Sequence, residues 1–167
     1  ILISGGGRCN YTNLYATPQQ FISANPHFCK STLAQWTVDD TISFFEAYGI
    51  TGKEKTLGQL FPESDKARDV VNIFTELCAG MGQHIWCNTT VNRLERAGAG
   101  FIIHFEKDGK PGTLNTQKAV VASGGLPIPK MGATDFALRA ARQLGLQINA
   151  TAPALVPLTI TGKDQSW

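Results

Sequence analysis

Charge is scarce in this sequence. Charged side chains make up 17% of its 167 residues, against about a quarter in an ordinary globular domain. So thin a charged surface implies extensive burial or a face that meets another segment. The balance is equally slight, since 15 Lys and Arg against 13 Asp and Glu leave a formal net charge of +2. That is too little for the electrostatic footprint of a nucleic-acid binder, so no nucleic-acid partner is expected. No apolar run is long enough to span a bilayer, which leaves no expectation of membrane association. Cysteine is sparse and irregularly spaced: Cys9, Cys29, Cys78 and Cys87 form no Cys-x-x-Cys. A disulfide scaffold is thereby disfavoured and a reduced, cytoplasmic protein expected.

Other chemistries lack their parts. Ser4 and Ser123 sit in no Gly-x-Ser-x-Gly elbow, and His27 and His104 lie near no convincing acid or nucleophile partner, so hydrolase chemistry is poorly supported. Cys78, His84 and Cys87 miss the spacing of a zinc site and want a fourth ligand, and no metal is expected. There is no repeat and no low-complexity segment. There is also no initiator Met and no signal peptide. The chain opens inside an apolar segment and reads as a piece of something longer.

What is present is a pair of glycine loops. Ile1-Leu2-Ile3-Ser4 runs into Gly5-Gly6-Gly7-Arg8-Cys9-Asn10, and Ala119-Val120-Val121-Ala122-Ser123 runs into Gly124-Gly125. Each reads as an apolar strand ending in glycines. Such turns let backbone amides approach a phosphate-bearing cofactor, because glycine has no Cβ in the way and tolerates positive φ. The first loop nearly satisfies Gly-x-Gly-x-x-Gly, but Asn10 holds the last position and no clean helix follows. As a primary dinucleotide fingerprint it fails, and a cofactor contact and a plain tight turn both stay open. Arg8 suits a phosphate or carboxylate partner, or simple solvation. Cys9 reads as a structural thiol or a redox one, and Cys78 as core filler.

Between the loops the pattern alternates. Thr17-Pro18-x-Gln20 and Asn25-Pro26 each predict a helix start. Thr37 opens a helix whose face is Val38, Ile42 and Phe45, stopped at Gly49. Gly58 to Pro62 reads as a short strand or loop. Ser64 is expected to cap a long amphipathic helix with the stripe Ala67, Val70, Val71, Phe74, Leu77, Cys78 and Met81, ending at Gly80 or Gly82. Strands are predicted from Ile85 to Val91, Gly100 to Lys107 and Gly112 to Ser123, with Asp108-Gly109 as a type I′ hairpin turn. Lys118 to Ser123 suits a fully buried strand. Thr134 then caps a helix through Leu144, stopped by Gly145, and residues 153 to 159 read as extended. The length fits one domain large enough to bury its own core, and this order of elements predicts an α/β fold: a partial Rossmann-like three-layer domain with a β-meander.

Four motifs in order carry a family resemblance. Ile3-Ser4-Gly5-Gly6-Gly7-Arg8-Cys9-Asn10-x-Thr12-Asn13 is followed by Gly58-x-Leu60-Phe61-Pro62-x-Ser64-x-Lys66-Ala67. Then come Val120 to Gly125 with Pro129-Lys130-x-Gly132-x-Thr134, and Pro153-Ala154-Leu155-Val156-Pro157-Leu158-Thr159. Together they resemble bacterial flavoproteins of the YhiN/BaiN type, described as NAD(P)/FAD-dependent oxidoreductases.

The resemblance implies FAD as cofactor, with NAD(P)H as the candidate electron partner and an unknown small-molecule substrate. It implies that residues 1 to 158 are the central portion of an FAD-binding domain and that 159 to 167 begin an inserted substrate-side domain. It further implies cofactor contacts from Gly5, Gly6, Gly7, Arg8, Asn10, Thr12 and Asn13 on the flavin side, from Val91 at the adenine, and from Ser123, Gly124 and Gly125. No catalytic acid or base is implied. The family's Gly-x-Gly-x-x-Gly unit does not occur here, and Thr134-Asp135-Phe136-Ala137 stands where Thr-Gly-Asp-Gly is usual. The chain alone is therefore expected to bind FAD weakly or not at all, and to self-associate through an exposed sheet edge. The competing reading is a non-catalytic module that binds a nucleotide or a partner chain.

Overall fold

A computed structural model describes residues 1–127 and 132–152, and the extended segment expected over 153 to 159 lies outside them. The chain is α/β and falls into two compact units, Ile1–Ile85 and Trp86–Trp167.

The first unit is built on β1 (Thr12–Asn13), β2 (Gly52–Glu54) and β3 (Gln59–Pro62), an antiparallel sheet in the order β1-β3-β2. Around it lie α1 (Lys30–Gln35), α2 (Val38–Ala47) and α3 (Ala67–Gly80). Helix α2 begins where the sequence predicts. The Thr37 hydroxyl accepts from Asp40 N–H at 3.1 Å while the Asp40 carboxylate accepts from Thr37 N–H at 2.8 Å, a reciprocal cap. Its expected face is real, with Phe45 buried and Gly49 turning the chain at φ +80°. The core joins Cys9, Phe45, Ile50, Ala67, Val70 and Ile73, flanked by Tyr11, Phe44 and Leu77.

Several expectations shift. Residues 1–3 form no strand; Ile1 and Ile3 are exposed, and Ser4–Gly7 is a 3₁₀ turn. A strand needs a ladder partner, and among the described residues none pairs with this segment. Thr17 and Gln20 do form a reciprocal cap, but over a single 3₁₀ turn, Pro18–Gln20. At Asn25-Pro26 the Asn25 side chain accepts from His27 N–H at 3.0 Å, a local turn that delays the helix to Lys30. Ser64 is not the cap of α3, since its hydroxyl donates to the Asp69 carboxylate and Lys66 takes the cap position. The buried stripe of α3 is Ala67, Val70 and Ile73, whereas Phe74 and Met81 are exposed. Spacings of three set Ile73 in the core with Ala67 and Val70, and leave Phe74 at its margin, partly exposed with its ring against Phe44 and Phe45.

The second unit is a meander of β4 (Thr89–Ala97), β5 (Gly100–Lys107) and β6 (Lys110–Thr116), followed by α4 (Phe136–Gln143). Lys107 pairs with Lys110, so Asp108 and Gly109 alone make the turn, both at positive φ (50° and 76°), as predicted. The first strand starts later than expected, at Thr89. The third ends at Thr116, and Lys118 to Ser123 is not the buried strand predicted: Val120 is 92% exposed. A β-branched run is only a strand where neighbours complete its hydrogen bonds, and among the described residues none does. Helix α4 has Asp135 rather than Thr134 at its cap position, with Arg139 donating to the Asp135 carboxylate one turn on at 2.7 Å. Among the described residues of this unit, Leu94 and Ala140 are the buried apolar ones.

Candidate functional site

The first glycine loop is a run of left-handed backbone. Gly5, Gly6, Gly7 and Cys9 have φ of 57°, 69°, 85° and 60°. A Cβ on Gly5 would sit 2.9 Å from the Phe61 ring and 3.1 Å from Asn10 N, so this position admits only glycine on two counts. Gly6 and Gly7 are open, their nearest neighbours being the Arg8 guanidinium at 3.9 Å and Leu2 O at 3.7 Å. Strain of this kind persists only where surrounding contacts hold it.

Those contacts are visible. Cys9 is buried among α2 and α3 residues and anchors the loop to the core. Burial pushes its thiol up from the ordinary range, which opposes the thiolate a redox role needs. With its nitrogen turned toward the sheet, the Asn10 amide donates to Leu60 O at 3.0 Å and Thr12 O at 2.7 Å; the opposite orientation would set oxygen against both carbonyls. Tyr11 N–H donates to Leu60 O at 3.0 Å. Its ring packs on Phe45 with centroids 4.6 Å apart, and its buried hydroxyl has no hydrogen-bond partner among the described residues. Thr12 and Asn13 pair with Leu60 and Gln59. The Asn13 amide then donates to Leu57 O at 2.8 Å and accepts from Tyr15 N–H at 2.9 Å. Gly58, at φ +75°, is closed in by the Tyr15 ring and the Asn13 amide oxygen.

The structure thus brings Gly5, Arg8, Asn10, Thr12 and Asn13 against β3, while Gly6 and Gly7 lie in the same loop without contact to that strand. Two of the four motifs, some 45 residues apart, form one construction. Arg8 Nε donates to Gly5 O at 3.0 Å and its guanidinium lies 5.4 Å from the Phe61 ring centroid. Sequence reasoning missed Phe61, Tyr11 and Gly58 as parts of this assembly. Their signal, a glycine on each of two loops, has meaning only once the loops are known to touch.

In the second unit, Val91 and Ser123 line one cleft of about 430 Å³ together with Thr89, Leu94, Ala119 and Phe136. Val91 stands at a β-bulge, since it pairs with Phe105 while Arg93 pairs with His104, leaving Asn92 as the extra residue. Bulges recur beside binding sites because they re-aim side chains. Gly124 has φ of 72° with open space around it, so its glycine answers to backbone conformation rather than close packing.

The described residues fit a nucleotide cofactor at the level of backbone, since Gly5, Gly6 and Gly7 form a turn of successive left-handed peptides without Cβ atoms beside an arginine. Helices and sheets around such a loop place the chain in the α/β class. Comparison with known proteins is more specific: the chain belongs to the HI0933-like protein Rossmann domain family, which matches residues 1–162. This is the flavoprotein family of the YhiN/BaiN type that the motifs resemble. It is 41% identical over 160 residues to the ribosomal RNA dihydrouridine synthase of Escherichia coli, covering 96% of this chain and 39% of that protein. The Haemophilus influenzae ribosomal RNA dihydrouridine synthase is 38% identical over 165 residues, covering 99% and 41%. A 3-dehydro-bile acid delta(4,6)-reductase of Clostridium scindens is 27% identical over 160 residues, covering 96% and 38%. The chain therefore spans about two fifths of the length of these relatives. Among its described residues no helix is long and apolar enough to cross a membrane.

Proposed function

We propose that this chain is the central portion of the FAD domain of an oxidoreductase, residues 1 to 158 forming that portion and 159 to 167 leading into a substrate-side domain. The observation that carries this reading is the Gly5–Asn13 loop, held in left-handed conformation by Cys9 and Asn10 with Gly6 and Gly7 left open. In the first unit Gly5, Gly6 and Gly7 offer backbone to the flavin side of the cofactor, and Arg8 faces negative charge. Within the second unit, Val91 and Ser123 line one cleft, and with Gly124 and Gly125 they are the residues that the family resemblance assigns to the cofactor. When bound, FAD would supply two-electron hydride chemistry; the residues named here bind and orient it. NAD(P)H is the electron donor this reading expects.

The substrate follows from the relatives. The activities named for both kinds of relative add hydrogen across a carbon–carbon double bond, in a uridine base or a bile-acid ring. The synthases are the more similar, so the whole protein is read as reducing a uridine of ribosomal RNA. That departs from the absence of a nucleic-acid partner expected from net charge. A balance of +2 over this chain leaves most contacts with an RNA backbone to the remainder of the protein.

The test is purification of the full reading-frame product with its visible spectrum recorded, alongside mass analysis of ribosomal RNA from cells lacking the gene. Flavin absorbance with loss of one dihydrouridine supports the reading. A colourless product overturns the flavin assignment, and unchanged RNA overturns the substrate. If the loop donates two charge-assisted bonds, each about 1.5–3 kcal/mol, its disruption weakens FAD binding by roughly two to four decades.

A further inference from the structure

The weak overall charge hides a local surplus. Beside the glycine loop, Lys53 on β2 and Lys55 just after it both reach the Asp65 carboxylate, Lys53 Nζ at 3.7 Å and Lys55 closer still. Lys55 Nζ also stands 4.5 Å from the Phe61 ring centroid, the ring that Arg8 approaches at 5.4 Å. Phe61 is 4% exposed and is the same side chain that closes on Gly5. Arg8 and Lys55 therefore stand at one buried ring, and Lys53 and Lys55 share one carboxylate, with Lys55 common to both.

A purely structural ion pair would need one lysine for Asp65. Asp65 itself is fixed in left-handed conformation, φ +55°, with its N–H donating to Pro62 O at 2.9 Å, so its carboxylate is delivered by the turn. Lys53 remains half exposed and adds little to an exposed pair. Lys55, three-quarters covered and seated against Phe61, is held at a fixed height beside the loop. Cations so arranged suit a phosphate ester, which accepts several charge-assisted bonds at once.

We infer that Lys53 and Lys55 form a docking site for a phosphate group of the second substrate, set beside Arg8 and the loop that the proposed function assigns to the flavin. The inference rests on that reading for its place in the reaction. Two sources share the chemistry: the phosphates of a reduced nicotinamide dinucleotide and the phosphodiester of single-stranded RNA.

The experiment uses the full reading-frame product and its variants Lys53→Gln and Lys55→Gln, the first at an exposed side chain whose loss leaves the fold intact. Flavin content is read in every sample. Binding of NADPH and of a uridine-containing RNA oligonucleotide is then titrated at several salt concentrations. Lys53→Gln is expected to weaken one of the two ligands about fivefold and to lower its salt slope by about 0.7 to 1. Lys53→Arg should restore most of the affinity. The ligand affected names the source of the phosphate. Unchanged affinity and slope for both ligands overturns the site, as does a loss confined to flavin content, which would assign the cations to the resident cofactor. A wild-type product without flavin overturns the functional reading instead.

Discussion

Gly5 and Gly6 share a backbone sign and differ in surroundings, which makes them a matched pair. Alanine at either position pays about 1–2 kcal/mol for left-handed φ. At Gly5 it also drives a methyl into Phe61 and Asn10, adding about 1–3 kcal/mol of overpacking. Gly5→Ala should therefore destabilise clearly more than Gly6→Ala in denaturant unfolding, and equal losses would refute the packing argument. Cysteine exposure makes a second forecast. Cys87 is exposed and should label first with a thiol reagent, while buried Cys9 and Cys29 react only on unfolding. Fast native labelling of Cys9 would revive its redox reading. Asp65 bears on acid stability. Its hydrogen bond from Lys55, aided by the charges of Lys55, Lys53 and Arg8, holds its carboxyl below the usual range. A carboxyl depressed on folding stabilises fully above its unfolded value of about 3.9 and loses that contribution as pH falls through the folded value. Asp65→Asn should flatten this part of the acid limb in unfolding midpoints followed from pH 6 to 2. An unaltered limb would show the ion cluster to be silent.

At the scale of elements, the predictions that succeeded rest on local chemistry. Thr37 and Asp40 satisfy each other's backbone within one turn, and Asp108-Gly109 meets the positive φ of a two-residue hairpin without help from elsewhere. Thr37→Ala should cost about 1 kcal/mol in thermal or chemical unfolding, the ordinary loss of a helix cap. The failures have a common cause as well. Ile1 to Ile3 and Lys118 to Ser123 have strand composition, yet a strand exists only through partners, and their composition could not say whether those partners would be there. Ser64 was drawn away from capping by Asp69, and Thr134 lost its place to Asp135. Each shift is a competition between neighbouring polar groups of nearly equal merit.

For the whole molecule, exposed apolar side chains are the clearest liability. Ile3 at 60% and Val120 at 92% exposure leave strand-forming segments open to pairing. The chain taken by itself is expected to self-associate, and its sedimentation coefficient should rise with concentration. A constant monomer value would contradict this. The same chain should carry little or no flavin, while the full reading-frame product is yellow.

Sequence alone determined the family, the α/β class, the helix opened by Thr37, the meander hairpin and the loop from Gly5 to Asn13, because caps, turns and glycine spacing act within a few residues. Only the tertiary structure decided that Gly58 to Pro62 forms the wall against which that loop is pinned, that Phe61 is what forbids a side chain at Gly5, and that Arg8 and Lys55 meet at the Phe61 ring. Each depends on residues some 45 to 55 positions apart meeting across a sheet edge. Contacts of that range are set by the burial of Cys9, Phe45 and Val70 in one core, which no short stretch of sequence encodes.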